Sequence, residues 1–429
     1  MSSNYETSQM ISVDEAIDMV LSFTKELESE ATPMLEATGR VLAEDIVSDI
    51  DIAPFDNSAM DGFALKAVDS ELASPDHPIE LEVVGVIGAG SVFTGCLQAG
   101  EALRIMTGAE LPAGADTVVM IEHVEVVGET ATRPQGERII LSKSIELGKN
   151  VRYKGEEIAA GEVLMQAGVQ LSPAGIGLLA ATGNPVVQVI RRPRVAILAT
   201  GDELVDPTQV PGPGKIRNSN GYSLAAAVAG AGGLPSVLGI VADDEAQIRA
   251  AVKAAVASHD MVLISGGAAG GDYDYTFQVL NELGRVYFRK VNMRPGKSQT
   301  LGVIDDTIVF GLAGNPVAAL VGFEVLLRPA LRLMQGYRSL KRPIIQARLV
   351  SDSHKTDSRR LYLRAHLAYD SANAEYQVIL EEHQSSAILG AMQNANCLVI
   401  LEEGQGGSHK DEFVNCLRLD IEDDLRVIS

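Results

Sequence analysis

Apolar residues recur at helical spacing at Val13, Ile17 and Val20, behind a Ser12 that is followed three residues later by Glu15. This predicts one amphipathic helix over residues 12–28, opened by a capping box. Beyond Gly39-Arg40-Val41-Leu42-Ala43 and a polar, proline-containing connection, the pattern changes to short runs separated by Gly and Pro. ELEVVGVIG, EALRIMTG, DTVVMIEHVEVVG and RIILS predict the strands of a β-rich module. From about 147 to 183, turn-rich segments lead into Leu171-Ser172-Pro173-Ala174 and an Ala/Leu helix. The pattern alone does not place this piece.

Between about 190 and 333 the alternation is clearest. VAILAT, a helix near 220–230, PSVLGIV, a helix from Asp244, MVLISGG, a helix from Asp274, VYFRKVNM, TIVFGL and a long helix from Pro316 follow one another. Strands alternating with helices predict a parallel sheet wrapped on both faces, with its binding crevice at the carboxyl ends of the strands. The remaining segment is again strand-like (PIIQARLVS, RRLYLRAHLAY, YQVILEEH, NCLVILEE, VNCLRLDI) and predicts a small terminal β domain. The fold class is therefore α/β plus β, in several domains.

Composition narrows the partners. The 429 residues carry 35 Lys and Arg against 57 Asp and Glu, a net charge of −22, which repels nucleic acid and anionic membranes. The apolar stretches at 223–242 and 307–331 are interrupted, by Gly-Gly-Leu-Pro in the first and by Gly314-Asn315-Pro316 and Glu324 in the second, so both read as buried core. Cys96, Cys397 and Cys416 lack metal-ligand spacing and are too few for a disulfide framework, which points to a reducing cytoplasm. The polar N-terminus has no signal-peptide pattern.

The loops after the central strands are loaded with chemistry. The first strand ends at Thr200-Gly201-Asp202-Glu203, the second at Asp243-Asp244, the third at Ser265-Gly266-Gly267, followed by Gly270-Gly271-Asp272-Tyr273-Asp274, and the fifth at Gly314-Asn315-Pro316. Gly-rich turns feeding helix N-termini free backbone N–H groups for phosphate or an oxyanion. Any one of them taken alone also reads as an ordinary turn or cap; three on one edge favour the anion. Between Glu282 and Asp305 the chain carries no acid but five cations, Arg285, Arg289, Lys290, Arg294 and Lys297, and Arg294-Pro295-Gly296-Lys297 reads as a stiff turn holding two of them. The alternative is a solvated strand face. Asp202, Glu203, Asp243 and Asp274 in one crevice suit Mg²⁺ beside phosphate, with helix capping as the alternative for Asp244 and Asp274. Such a site fits phosphoryl-type transfer, in which the protein positions groups and neutralises charge. No Ser/His/Asp constellation is present. In the β-rich part, residues 54–64 are dense in polar turn formers, which predicts a buried, hydrogen-bonded loop of unspecified ligand.

DNSAMDG (56–62), RIMTGAELPAGAD (104–116), GEEIAAGE (155–162), TGDEL (200–204), the SGG to DYDYT segment (265–276), MRPGK (293–297) and GNPVA (314–318), in this order, resemble the MoeA family of molybdopterin molybdenumtransferases, which includes the gephyrin E domain. The resemblance covers essentially the whole chain. It implies insertion of molybdate into adenylylated molybdopterin with Mg²⁺-dependent release of AMP, in the cytoplasm. It implies an elongated homodimer whose active site is shared between subunits, with a molybdopterin adenylyltransferase and molybdoenzymes as further partners. It also implies four domains: a discontinuous one of 1–50 and 147–183, a β-rich one of 51–146 carrying DNSAMDG, a MogA-like parallel-sheet α/β domain of 184–333 that binds molybdopterin, and a C-terminal small β-barrel of 334–429.

By motif, the catalytic positions would be Asp61, Thr107, Glu203, Asp274, Lys290 and Arg294. Ligand contacts would come from Gly266, Gly267, Lys297, Gly314, Asn315 and Pro316, and, toward molybdate in the terminal domain, from Arg360, Arg364 and Ser386. Metal ligands would be Glu157, Glu203, Asp243 and Asp274. Several positions depart from the pattern: Ala268-Ala269-Gly270 lacks the serine of a GGVSVG-like loop, Glu157 replaces Asp, Ala313 replaces Pro, Ser298 follows Lys297 in place of Pro, and Ser385 replaces Gly in a QGS motif. They leave open a divergent paralogue that inserts tungstate, an adenylyltransferase-like enzyme, or a non-catalytic molybdopterin-binding scaffold.

Overall fold

The computed structural model describes residues 9–128, 137–266, 275–354 and 357–421. They form two compact units, residues 31–188 in one and residues 1–30 with 189–429 in the other.

In the larger unit a seven-stranded sheet runs in the order Leu234–Val241, Arg194–Thr200, Met261–Ser265, Thr307–Leu312, Ser298–Ile304, Arg285–Val291, Met10–Ile11. Successive residues of the central strands are buried on opposite faces, as expected of a sheet covered on both sides. Val195, Ile197 and Leu263 join one cluster with Leu224, Val317 and Leu331, while Ala196, Leu198 and Ile264 join another with Ile248, Val252 and Val279. The sheet is not wholly parallel: Ser298–Ile304 is antiparallel to both of its neighbours. The reason is the turn after it. Asp305 and Asp306 both have positive φ (47° and 67°), and two such residues make the tight hairpin connection that only antiparallel strands can use.

The N-terminal helix spans Val13–Ser22, and both halves of the Ser12/Glu15 capping box are made. It buries Val13, Ala16, Ile17 and Val20 in the core of the α/β sheet, each large side chain contributing on the order of 2 kcal/mol. This helix therefore belongs to the unit of 189–429, whereas the expectation grouped residues 1–50 with 147–183. The long helix from Pro316 has three parts, Pro316–Gly322, a π-helical Phe323–Leu327 and Arg328–Met334. Pro329 explains the middle part, because it has no N–H to return to the preceding turn. Glu324, the one acid of this helix, is held by Arg342 at 2.6 Å.

Five strands after the helix, Ile344–Leu349, Arg360–Asp370, Glu375–Leu380, Cys397–Leu401 and Phe413–Arg418, close into a barrel, because Arg360–Asp370 pairs with both Glu375–Leu380 and Cys397–Leu401. Met293–Arg294, in the turn that leaves the α/β sheet, adds a parallel pairing to Arg360–Leu361. Asn292 beside it donates to Glu403 at 2.6 Å.

The unit of residues 31–188 holds a six-stranded sheet in the order Thr117–Met120, Gly62–Leu65, Glu101–Ile105, Ile79–Ile87, Arg138–Leu141, Glu125–Val127. Gly62–Leu65 is a strand that the polar run 54–64 conceals. A Cβ at Gly62 would lie 2.0 Å from the Val119 carbonyl oxygen, so only glycine admits the neighbouring strand. The helix expected near 174 is Pro173–Ala181, capped by Ser172 and with proline in its first turn.

Candidate functional site

In the larger unit a cavity of about 1030 Å³ lies where the MRPGK turn and the head of the Pro316 helix face the barrel. Arg294, Lys297, Asn315, Arg364 and Ser386, all predicted from sequence, line it together. Their placement follows from local structure. Gly296 has φ of +99°, and a Cβ there would lie 3.2 Å from the Ala318 carbonyl, which closes the turn tightly against the helix. Asn315 caps the helix with its backbone while Pro316 occupies its first turn. The Ser386 carbonyl accepts the Val317 N–H at 3.0 Å, tying the barrel loop to that turn.

Arg364 is the decisive side chain. It is 1% exposed, its Nη2 donates to the carbonyls of His383 and Ser385 at 3.2 Å each, and its Nε has no partner. Burial pushes the guanidinium pKa down to about 10, so it stays charged at neutral pH. A buried cation with an unused donor on a cavity wall calls for an anion. Arg294 is half neutralised by Asp357, at 2.9 Å, and Arg359, with Arg294, holds the Asp357 carboxyl far below its usual range.

Arg360 behaves differently from Arg364. It is paired with Asp14 and Glu402 and is not part of the cavity wall, so its guanidinium ties the helix to the barrel. Lys290 pairs in the sheet opposite Met10 and Ser298, and although Ser298 lines the cavity, Lys290 does not.

A second group of predicted residues collects at the carboxyl ends of the parallel strands. Asp202 and Asp243 each accept the other's backbone N–H, at 3.2 and 3.4 Å, and Lys215 donates to the Asp202 carbonyl. Asn220 donates to Ser265 Oγ at 2.7 Å and to the Gly314 carbonyl at 2.8 Å, joining three loop starts. A Cβ at Gly266 would lie 2.1 Å from the Thr200 carbonyl, and its φ is +101°. The Glu203 carboxylate folds over Gly201. Gly267, the loop Ala268-Ala269-Gly270-Gly271, Asp272 and Asp274 lie outside the described residues. Among the described residues no three His, Cys, Asp or Glu side chains converge as a metal-binding group. A cation there would rest on one or two carboxylates, Asp243 and Glu203, and take the rest of its shell from substrate phosphate and water, which is the common habit of Mg²⁺.

In the smaller unit the Asp61 carboxylate accepts the Thr107 N–H at 2.7 Å and its hydroxyl at 2.8 Å, which holds it below its ordinary pKa. Asn57 and Ser58 are buried and hydrogen-bonded, but Pro54, Phe55, Met60 and Asp61 are exposed, so the run 54–64 is buried only in part. Glu157 stands exposed in the same unit.

Residues 11–183 match the MoeA N-terminal region (domain I and II), 196–333 a probable molybdopterin binding domain, and 346–418 the MoeA C-terminal region (domain IV). A molybdopterin molybdenumtransferase of Staphylococcus aureus is 37% identical over 94% of both chains. The chain belongs to the MoeA family. A Staphylococcus epidermidis molybdopterin molybdenumtransferase is 35% identical over 95% of both chains. Two solved MoeA structures from Pyrococcus horikoshii align with this MoeA chain at a TM-score of 0.80, with 33% and 29% identity, over 96% and 95% of it and 100% and 99% of their own lengths. Among the described residues no helix of this MoeA chain is long and apolar enough to cross a membrane.

Sequence reasoning did not single out Gln384, Glu381 or Arg359 as wall residues of the cavity. The signal for Gln384 was present in its place next to Ser385 and Ser386; the other two are brought in by the barrel register.

Proposed function

We propose that this MoeA chain is a molybdopterin molybdenumtransferase that takes molybdenum from molybdate and inserts it into molybdopterin during molybdenum cofactor biosynthesis. The observation that carries the reading is the buried cation Arg364, which lines one cavity together with Lys297, Arg294 and Ser386. A tetrahedral dianion needs converging donors of this kind, and the cavity leaves room for a larger partner beside it.

In this reading Arg364, Lys297 and Ser386 hold the oxyanion and Arg294 screens its charge. Gly314 and Asn315 offer backbone donors to the phosphates of adenylylated molybdopterin. Glu203 and Asp243, with Asp274, are assigned to Mg²⁺, which when bound neutralises charge on the departing AMP. Asp61 with Thr107, and Lys290, complete the catalytic set, Asp61 being supplied across a homodimer. A cytoplasmic setting belongs to the same proposal, as do an adenylyltransferase that delivers the substrate and a division that keeps 51–146, 184–333 and 334–429 as separate domains.

The test is AMP release from adenylylated molybdopterin by purified protein, with Mg²⁺ withheld or added and molybdate or tungstate titrated separately. Release that needs both metal ion and oxyanion supports the proposal, and the lower half-saturating oxyanion names the preferred metal. Absence of release while the pterin substrate binds measurably would replace it with a binding role.

A further inference from the structure

Gln384 lies on the loop after Glu375–Leu380, and its side chain behaves like a neighbouring strand. Its Oε1 accepts the backbone N–H of Arg364 at 3.0 Å, and its Nε2 donates to the carbonyls of Arg364 at 2.8 Å and Glu381 at 2.9 Å. One amide thus occupies both main-chain groups of residue 364. The carbonyls on either side of it, His383 and Ser385, receive the Arg364 guanidinium. Residue 384 therefore anchors the loop to the strand, and the anchored loop aims the side chain that the strand carries.

A free arginine side chain loses rotamer freedom when it is fixed on a ligand. Here the fixing is done before the ligand arrives. Nη2 is spent on the loop, Nε is buried without a partner, and the residue so held lines the cavity. If the amide of Gln384 is removed, the carbonyls of residues 383 and 385 are no longer held opposite Nη2, and Arg364 loses the direction in which the loop fixes its guanidinium.

We propose that Gln384 is a positioning residue for oxyanion capture, setting affinity for a tetrahedral dianion by aiming Arg364. The proposal rests on the reading that Arg364 receives the oxyanion, so the experiment separates the two. Sodium molybdate is dialysed to equilibrium against the full-length protein, Gln384→Met, Gln384→Asn and Arg364→Met, and molybdate is titrated in the AMP-release assay with the same proteins. Gln384→Met keeps the bulk and removes the hydrogen bonds; it is expected to weaken molybdate binding and raise the molybdate KM about tenfold, with kcat at saturation changed less than about twofold. Gln384→Asn keeps the amide on a shorter reach and is expected to fall between parent and Gln384→Met, and it carries the comparison if circular dichroism shows that Gln384→Met misfolds. Parent-like binding by Gln384→Met alongside loss in Arg364→Met overturns the positioning role and leaves Arg364 as the receptor. Parent-like binding by Arg364→Met overturns both. A fall in kcat with unchanged KM assigns Gln384 to structure alone and also overturns the proposal.

Discussion

Asp14, in the first turn of the N-terminal helix, holds Arg360 at the head of the longest barrel strand through hydrogen bonds of 3.1 and 2.8 Å. The pair joins residues 346 positions apart, so the barrel is fastened to a helix from the other end of the chain. Its hydrogen bond to Arg360 holds Asp14 below its ordinary pKa of 3.8. A carboxyl depressed by folding contributes stability that is full above its ordinary pKa and lost as pH falls through the folded one. Asp14→Asn should cost about 0.5–1 kcal/mol at neutral pH, the exposed carboxylate being screened by solvent, and should narrow the difference from parent below about pH 4. Urea titrations at several pH values measure it.

Arg364→Met should abolish molybdate-dependent turnover while leaving unfolding free energy within about 1 kcal/mol of parent, because a buried cation costs stability that its two carbonyl bonds only partly return. The burial that lowers its pKa is a cost the parent already bears, so the variant is relieved of it. A parallel set of denaturation and binding curves is sufficient to check both.

Asp61→Asn retains an oxygen to accept the Thr107 N–H but lacks the charge. Turnover should drop at least about a hundredfold with thermal unfolding unchanged. Loss of activity in proportion to loss of fold would return Asp61 to a structural role.

Gly62→Ala should destabilise residues 31–188 by about 3 kcal/mol or more, since the new Cβ meets a strand carbonyl that cannot retreat. Hydrogen exchange should show the loss in that unit.

The turn at Asp305 and Asp306 makes the opposite prediction. Both residues hold positive φ, a conformation that Asn-Gly adopts with less strain, so Asp305→Asn with Asp306→Gly should stabilise the larger unit by about 0.5–1 kcal/mol in the same denaturation assay.

What could be read from the chain was what local periodicity writes. The Ser12/Glu15 box, the double-faced runs VAILAT and MVLIS and all five barrel strands were legible because each carries its own pattern. The Ser298–Ile304 strand was not, because it opens with Ser, Gln and Thr, and Gln299 and Thr300 are buried polar residues that no apolar count reports. Gly62–Leu65 was hidden for a similar reason, behind polar residues whose hydrogen bonds are made at a distance. The contrast between Arg360 and Arg364 lay beyond sequence as well. They sit four residues apart on one strand, and what sends the first to Asp14 and the second to a cavity is a helix at the far end of the chain and a loop twenty residues on.

The turn from Asn292 to Lys297 belongs to two architectures at once: it leaves one sheet, pairs with a strand of the barrel and is pinned to Glu403 on the way. The jaws on either side of the cavity are therefore laced together by main chain, and to open or shut them would mean unpicking that seam. A change in the distance between the two walls has to begin at that seam, so the strength of two short backbone pairings sets how freely the cavity breathes.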